Sequence, residues 1–206
     1  NVSQVFTVSM PVGAYTDCEI LPTCGLADEN AVIGYEDRPA DFFLPARMRA
    51  QLLWSSGGYV EYKFPYSLGA GATPKQLLLT FEACSEVANY RENWKSDLTI
   101  WINGKECGTW RSPGDFGARR GRLTPAWWSG ATQYGLLVTV AVSGEGCLIN
   151  NQPASGLRLG DLGLGGSCSV TVRIGNKKDA EYVGGFNLFG EKFGDFEQDI
   201  KLSFVY

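Results

Sequence analysis

Histidine is absent from the 206-residue chain. Its absence removes Ser-His-Asp and Cys-His arrangements, histidine metal sites and histidine general bases together, because each needs an imidazole that titrates near neutrality or ligates through nitrogen. Positive charge is also scarce. Eighteen Lys and Arg against 22 Asp and Glu give a formal net charge of -4 and a pI near 5.0, so the chain lacks the basic surface that an unaided nucleic-acid binder requires. No stretch approaches the roughly 18 to 20 continuous apolar residues of a membrane span. No P-loop and no strand-linked G-x-G-x-x-G is present, and Gly163 to Gly166 reads as a turn. No cofactor, no metal and no membrane partner are expected.

The six cysteines, Cys18, Cys24, Cys84, Cys107, Cys147 and Cys168, are too few for a stapled mini-protein. Most read as buried thiols, with three disulfides as the alternative for a secreted chain. Cys18 and Cys24 lack the tight C-x-x-C spacing of a zinc knuckle. Cys84 is a nucleophile only in principle, since no histidine is there to activate it.

What is abundant points to strands. Hydrophobic residues make up 44% of the chain and aromatics 13%, while 26 glycines and nine prolines cluster between apolar runs. That composition supports one core and many turns, hence a single domain over residues 1–206. Strand character is already present at Val2, directly after Asn1, which leads us to expect a piece of a longer polypeptide.

The clearest element is the hairpin in Ser96 to Trp110. Leu98, Ile100 and Ile102 alternate with Thr99, Trp101 and Asn103, and Asn103-Gly104 supplies the tight turn. Further strands are expected at Val5–Met10, Ala50–Ser55, Gly58–Phe64, Gln76–Ala83, Leu136–Ser143, Val170–Ile174 and Asp199–Val205. Asp17 to Glu29 reads as a short strand and a connecting loop, with Cys24, Asp28 and Glu29 as a conceivable site rim. Pro39 and Pro45 limit Arg38–Arg49 to a turn or two of helix, and Pro65 to Pro74 is a Gly-rich linker. Evenly spaced β-runs without a sustained helical period predict an all-β fold: a two-sheet β-sandwich, a jelly roll of the galactose-binding-like kind, with at most short helical turns.

For chemistry, Glu61, Glu82 and Glu86 are the candidates for a paired-carboxylate glycosidase site, although no compact acidic pattern supports one. Arg111 to Trp128 is different. It places Arg111, Arg119, Arg120 and Arg122 around a single acid, Asp115, and ends on Trp127-Trp128. Guanidinium forks grip anions or vicinal hydroxyls, and indole faces stack on sugars, bases or cations. Gly184 to Phe196 repeats the pattern of rings spaced by glycines, with Asn187, Glu191 and Lys192 as polar contributors. The ligand-binding candidates are therefore Trp110, Asp115, Arg119, Arg120, Trp127, Trp128, Asn187 and Glu191, for a small polar ligand such as a saccharide. The structural alternative is that Trp127 and Trp128 plug the sandwich end while the arginines pair with surplus acids.

The segments PTCGLAD (Pro22–Asp28), YVEYKFP (Tyr59–Pro65), SDLTIWING (Ser96–Gly104), WRSPGDFG, RRG, LTPAWW, TQYGLL (Thr132–Leu137) and NLFGEKFGDFEQDI (Asn187–Ile200) resemble the C-terminal region of bacterial ArsR-type transcriptional regulators. In that group a winged helix-turn-helix precedes a β-rich domain. The resemblance implies a non-catalytic, effector-sensing domain of a cytoplasmic regulator, touching DNA only through an N-terminal winged-helix unit and dimeric if its operator is palindromic. It places no metal ligands on these cysteines. The alternatives are a carbohydrate-binding module, or a β-sandwich glycosidase, of a secreted protein.

Overall fold

The computed structural model describes residues 4–67 and 73–206. Val2, and the centre of the Gly-rich Pro65–Pro74 stretch, lie outside the described residues. Fifteen strands are described: β1 Val5–Met10, β2 Asp17–Ile20, β3 Cys24–Ala27, β4 Val32–Ile33, β5 Leu52–Ser55, β6 Gly58–Pro65, β7 Gln76–Cys84, β8 Ser96–Ile102, β9 Lys105–Ser112, β10 Leu136–Ser143, β11 Gly146–Ile149, β12 Gln152–Ser155, β13 Ser169–Gly175, β14 Phe186–Phe189 and β15 Ile200–Val205. They form two antiparallel sheets, so the all-β, two-sheet sandwich expected from the sequence is what this chain folds into. The chain passes between the sheets repeatedly, as a jelly roll does.

The smaller sheet has the order β2-β6-β13-β8-β9. Val60, Tyr62 and Phe64 of β6 face the core with no exposed surface, while Glu61 on the opposite face pairs with Arg173 at 3.0 Å. The β8–β9 hairpin turns on Asn103 and Gly104, both at positive φ (49° and 75°), which is why Asn-Gly stands there. Among the described residues the helical content is three 3₁₀ turns, two of them, Pro39–Phe43 and Pro45–Arg49, opened by the prolines that prevent anything longer.

The larger sheet runs β12-β11-β10-β7-β14-β5-β3-β4. One edge of β7 pairs with β10; the other pairs with β15 from Gln76 to Thr80 and with β14 from Glu82 to Cys84. Two strands thus lie end to end along β7. Residues 190–199 between them must leave the sheet and cross its outer face.

Along β7, Leu77, Leu79, Phe81 and Ala83 point into the main core, and the alternate positions point outward. A second, smaller core forms on that outer face. Ala27, Leu52, Trp54, Cys84 and Phe189 from the strands are covered by Trp128 and Phe193. This second cover reaches β7 at its C-terminal end, where Cys84 is buried on the outer face.

Two expectations need correction. CGLA, read as loop, is the fully buried β3. FNLF, read as part of a segment of rings spaced by glycines and not as a strand, is the fully buried β14 between β7 and β5. Burial on both faces erases the polar alternation by which a strand is recognised.

Candidate functional site

Gly25, Trp54, Asn187 and Cys84 form one cross-strand row on the outer face, since Gly25 pairs with Trp54, and Asn187 pairs with both Trp54 and Cys84. The Trp54 ring lies flat across Gly25. A Cβ at position 25 would stand 2.2 Å from Trp54 Cζ2, so no larger residue fits. Beyond this row the strands end, and four connections converge to close a cleft of about 210 Å³. Thr23, Glu36 and Asp37 border one side, Glu86, Ala88 and Asn89 a second, and Trp128, Ala131 and Thr132 a third, over a floor of Trp54 and Asn187.

The two indoles meet at 5.4 Å between ring centroids with a 50° tilt. Trp128 is fixed on its other sides by Trp127 at 5.6 Å and Phe193 at 5.9 Å, both edge-on, and by its indole N–H, which donates to the Thr132 carbonyl at 2.8 Å. Such contacts hold the ring plane where a ligand can meet it.

Glu86 and Asp115 carry the polar chemistry. Glu86 Oε1 accepts from Asn187 Nδ2 at 2.9 Å and Oε2 from the Thr23 hydroxyl at 2.8 Å. Asp115 accepts from the Thr132 hydroxyl at 2.6 Å and the Val87 N–H at 3.0 Å. The two carboxyls are near enough for each to act on the ionisation of the other. Burial pushes both carboxyls well above the ordinary carboxylate range, and the neighbouring Asp115 charge adds to the rise at Glu86.

Asn187 is 1% exposed, and its Nδ2 also donates to the Ser85 carbonyl at 2.8 Å. Its Oδ1 has no partner. Asp37 is fixed by exchanging hydrogen bonds with Cys24: its N–H donates to the Cys24 carbonyl at 2.7 Å, and its Oδ1 accepts from the Cys24 N–H at 3.0 Å. The surrounding field is negative enough to act on the Cys24 thiol, which burial and then Asp37, Glu86 and Asp41 push up to about 11. No Lys or Arg lines the cleft.

The structure brings together Trp128 and Asn187, with Asp115 directly behind them, and leaves the other sequence candidates elsewhere. Trp110 lies on β9 against the main core. Arg119 forms a two-point pair with Asp195 (3.1 and 2.6 Å) and sits 3.6 Å above the Tyr134 ring. Arg120 donates to the carbonyls of Thr124, Pro125, Ala126 and Trp128 at 2.8 to 3.3 Å, holding the tryptophan loop in shape. Both arginines border a separate depression of about 170 Å³. Trp127 donates its indole N–H to the Glu29 carbonyl at 2.8 Å. Glu191 is exposed, with its backbone N–H on Asp199, and Lys192 pairs with Glu29 at 3.3 Å. Of the carboxylates considered for catalysis, Glu61 faces Arg173 on the other sheet. Glu82 is wholly buried and accepts from the N–H groups of Gly135, Asp195 and Phe196. Burial pushes it up to about 7 against those bonds.

Trp54, Thr23, Glu36, Asp37, Asn89 and Thr132 are cleft residues that sequence reasoning missed. Each reaches the cleft through a strand pairing or loop closure that local pattern does not encode. Among the described residues, no three His, Cys, Asp or Glu side chains converge as a metal site, and no helix is long and apolar enough to cross a membrane.

No protein-family model matches the chain, and no curated protein matches it. Among solved structures it is similar to a carbohydrate-binding module, CBM36, in complex with calcium and xylotriose (TM-score 0.37, 7% identity, covering 98% of this chain and 99% of that one). It is also similar to the Agl-KA catalytic domain (TM-score 0.32, 11% identity, covering 73% of this chain). A third is the catalytic unit of a GH87 alpha-1,3-glucanase from Streptomyces thermodiastaticus strain HF3-3 (TM-score 0.30, 10% identity, covering 98% of this chain). The chain spans 21% and 25% of the latter two.

Proposed function

We propose that this domain binds a saccharide in the cleft between Trp54, Trp128, Asn187 and Glu86, without transforming it. The observation that carries the reading is the pairing of two immobilised indoles with a ring of hydrogen-bonding groups in a space of about 210 Å³. A pyranose presents an apolar face to an aromatic ring and hydroxyls around its edge, which is the complement of such a surface. The volume lies below the roughly 300 to 1,000 Å³ of larger ligand pockets and suits one ring or the end of a chain. The burial of Asp115 supports binding over hydrolysis: it has no exposed surface, accepts from Thr132 and Val87 and does not line the cleft, so it is not placed to act with Glu86 as the carboxylate pair of a glycosidase.

Calorimetry against a panel of mono- and oligosaccharides, with Trp54→Phe and Trp128→Phe as controls, tests this reading. Saccharide binding that both variants weaken supports it. Binding to none of the panel, or reducing-sugar release by the wild-type chain, counts against it.

The setting in which such a module works has two versions. One is a carbohydrate-binding module of a secreted polysaccharide-processing protein. The other is the sensing domain of a cytoplasmic ArsR-type regulator, favoured by one observation: the segments that carry that resemblance contribute Thr23, Trp128, Thr132 and Asn187 to the cleft. A ligand acts there only if it favours one domain arrangement over another. Sequencing the coding region upstream of Asn1 separates the two, through a winged helix or its absence.

A further inference from the structure

We infer that the saccharide is an amino sugar, held through a protonated primary amine rather than through hydroxyls alone. The inference rests on the saccharide-binding reading above and concerns the charge of its ligand.

The donor and acceptor balance of the cleft is lopsided. Glu36, Asp37 and Glu86 are carboxylic residues, and no basic side chain stands among the lining residues to neutralise them. The Thr23 and Thr132 hydroxyls already donate, to Glu86 and Asp115. Both N–H groups of Asn187 are engaged, by Ser85 and Glu86. What remains free is acceptor capacity, and above all the Asn187 Oδ1, which is buried and unpartnered. A buried carbonyl without a hydrogen bond is costly, so its persistence points to a donor that arrives with the ligand. That oxygen belongs to the amide whose nitrogen lies 2.9 Å from Glu86, and Glu36 and Asp37 line the same cleft, so the free acceptor stands among carboxylic side chains. An ammonium group supplies three donors and no acceptor. It satisfies Asn187 Oδ1, compensates the carboxylate charge, and gains further from the Trp54 and Trp128 faces, which attract cations. A neutral hydroxyl satisfies the oxygen and leaves the charge uncompensated; an N-acetyl group adds an acceptor where acceptors are already in excess; a uronic acid is repelled.

The test compares a short glucosamine oligomer with its fully N-acetylated counterpart and with a neutral glucose oligomer of equal length, by calorimetry in a buffer containing EDTA. Binding of the amine-bearing oligomer about tenfold tighter than either partner is expected, the size of one charge-assisted hydrogen bond. Glu86→Gln is expected to remove most of that difference. Glu36→Gln, at an exposed position, is expected to reduce it as well. Equal or tighter binding of the N-acetylated or neutral oligomer overturns the inference and leaves the saccharide reading intact. An amine preference that persists unchanged in both variants also overturns it. Failure of all three oligomers to bind overturns both.

Discussion

Asn187 donates to Glu86 at 2.9 Å while the oxygen of the same amide meets nothing. The residue is therefore half committed to the fold and half available to a ligand. Replacing it with leucine removes both halves: a loss of about 1 to 3 kcal/mol is expected, because the Ser85 carbonyl and Glu86 carboxyl lose their donor inside the protein. Asn187→Asp keeps the size and the free oxygen but sets a second acid against Glu86. Chemical denaturation of both variants is expected to show each destabilised, and an unchanged midpoint in both would show that the amide holds nothing together.

Arg120 behaves differently from what its place in an arginine-rich segment implies. Its guanidinium spans four carbonyls of the loop that carries Trp128. Arg120→Ala is expected to cost about 1 to 2 kcal/mol, the site being partly solvated. Ligand affinity is expected to fall with it, because Trp128 loses its support. Full retention of both stability and binding would falsify that assignment.

Acidity separates two kinds of carboxylate in this fold. Burial raises Glu82 from 4.5 to about 7, and raises Glu86 and Asp115 in the same direction. The stability these groups contribute is fully present below the unfolded value and is lost as pH rises through the folded one. Asp97 has the opposite sign, since the Arg111 guanidinium holds its carboxyl below the ordinary range; its contribution is lost as pH falls through that lowered value. A melting temperature that is highest near pH 5 and declines toward pH 8 is expected, with a shallower decline in Glu86→Gln. A profile that rises from pH 5 to 8 is incompatible with these assignments.

The thiols differ in reach. Cys168 is exposed and Cys18 half-buried, while Cys24, Cys84, Cys107 and Cys147 are buried. Under native conditions a maleimide is expected to label Cys168 first and Cys18 slowly, with the remainder reacting only in denaturant. Mass mapping of the labelled positions checks the order, and rapid modification of Cys84 would mean that the outer-face core opens readily.

Gly25 offers a test of the floor itself. Gly25→Ala forces the Trp54 ring off its seat, so a shift in tryptophan fluorescence and a loss of roughly 1 to 3 kcal/mol are expected from overpacking. An unperturbed spectrum would show that the ring is not seated as described.

The parts of this fold that one strand announces by itself were readable in the sequence. The hairpin turning on Asn103-Gly104, the alternation in Gly58–Phe64 and the proline-opened turns at Pro39 and Pro45 each follow from local chemistry. Strands covered on both faces were not, and β3 and β14 lost their identity for that reason. The site was legible in part. Trp128, Asn187 and Asp115 stood together among the ligand-binding candidates, but beside five residues that lie elsewhere, and Glu86 stood apart among the acids considered for catalysis. What joined them was the pairing of Asn187 with Trp54 and with Cys84, a relation between positions 103 and 133 residues apart. The arginines drew attention by their density, and density in sequence carries no direction. Arg119 and Arg120 turn toward the loop they brace.

Glu82 gathers backbone N–H groups from two loops, one leading out of the Trp128 segment and one carrying Phe193, and Gly194 leaves room for its carboxylate. The shape of the cleft is thus dictated by an acid that does not line it. An engineer who wished to reshape the cleft would leave that anchor and the two indoles untouched and vary Glu36 and Ala88, which stand exposed at its mouth.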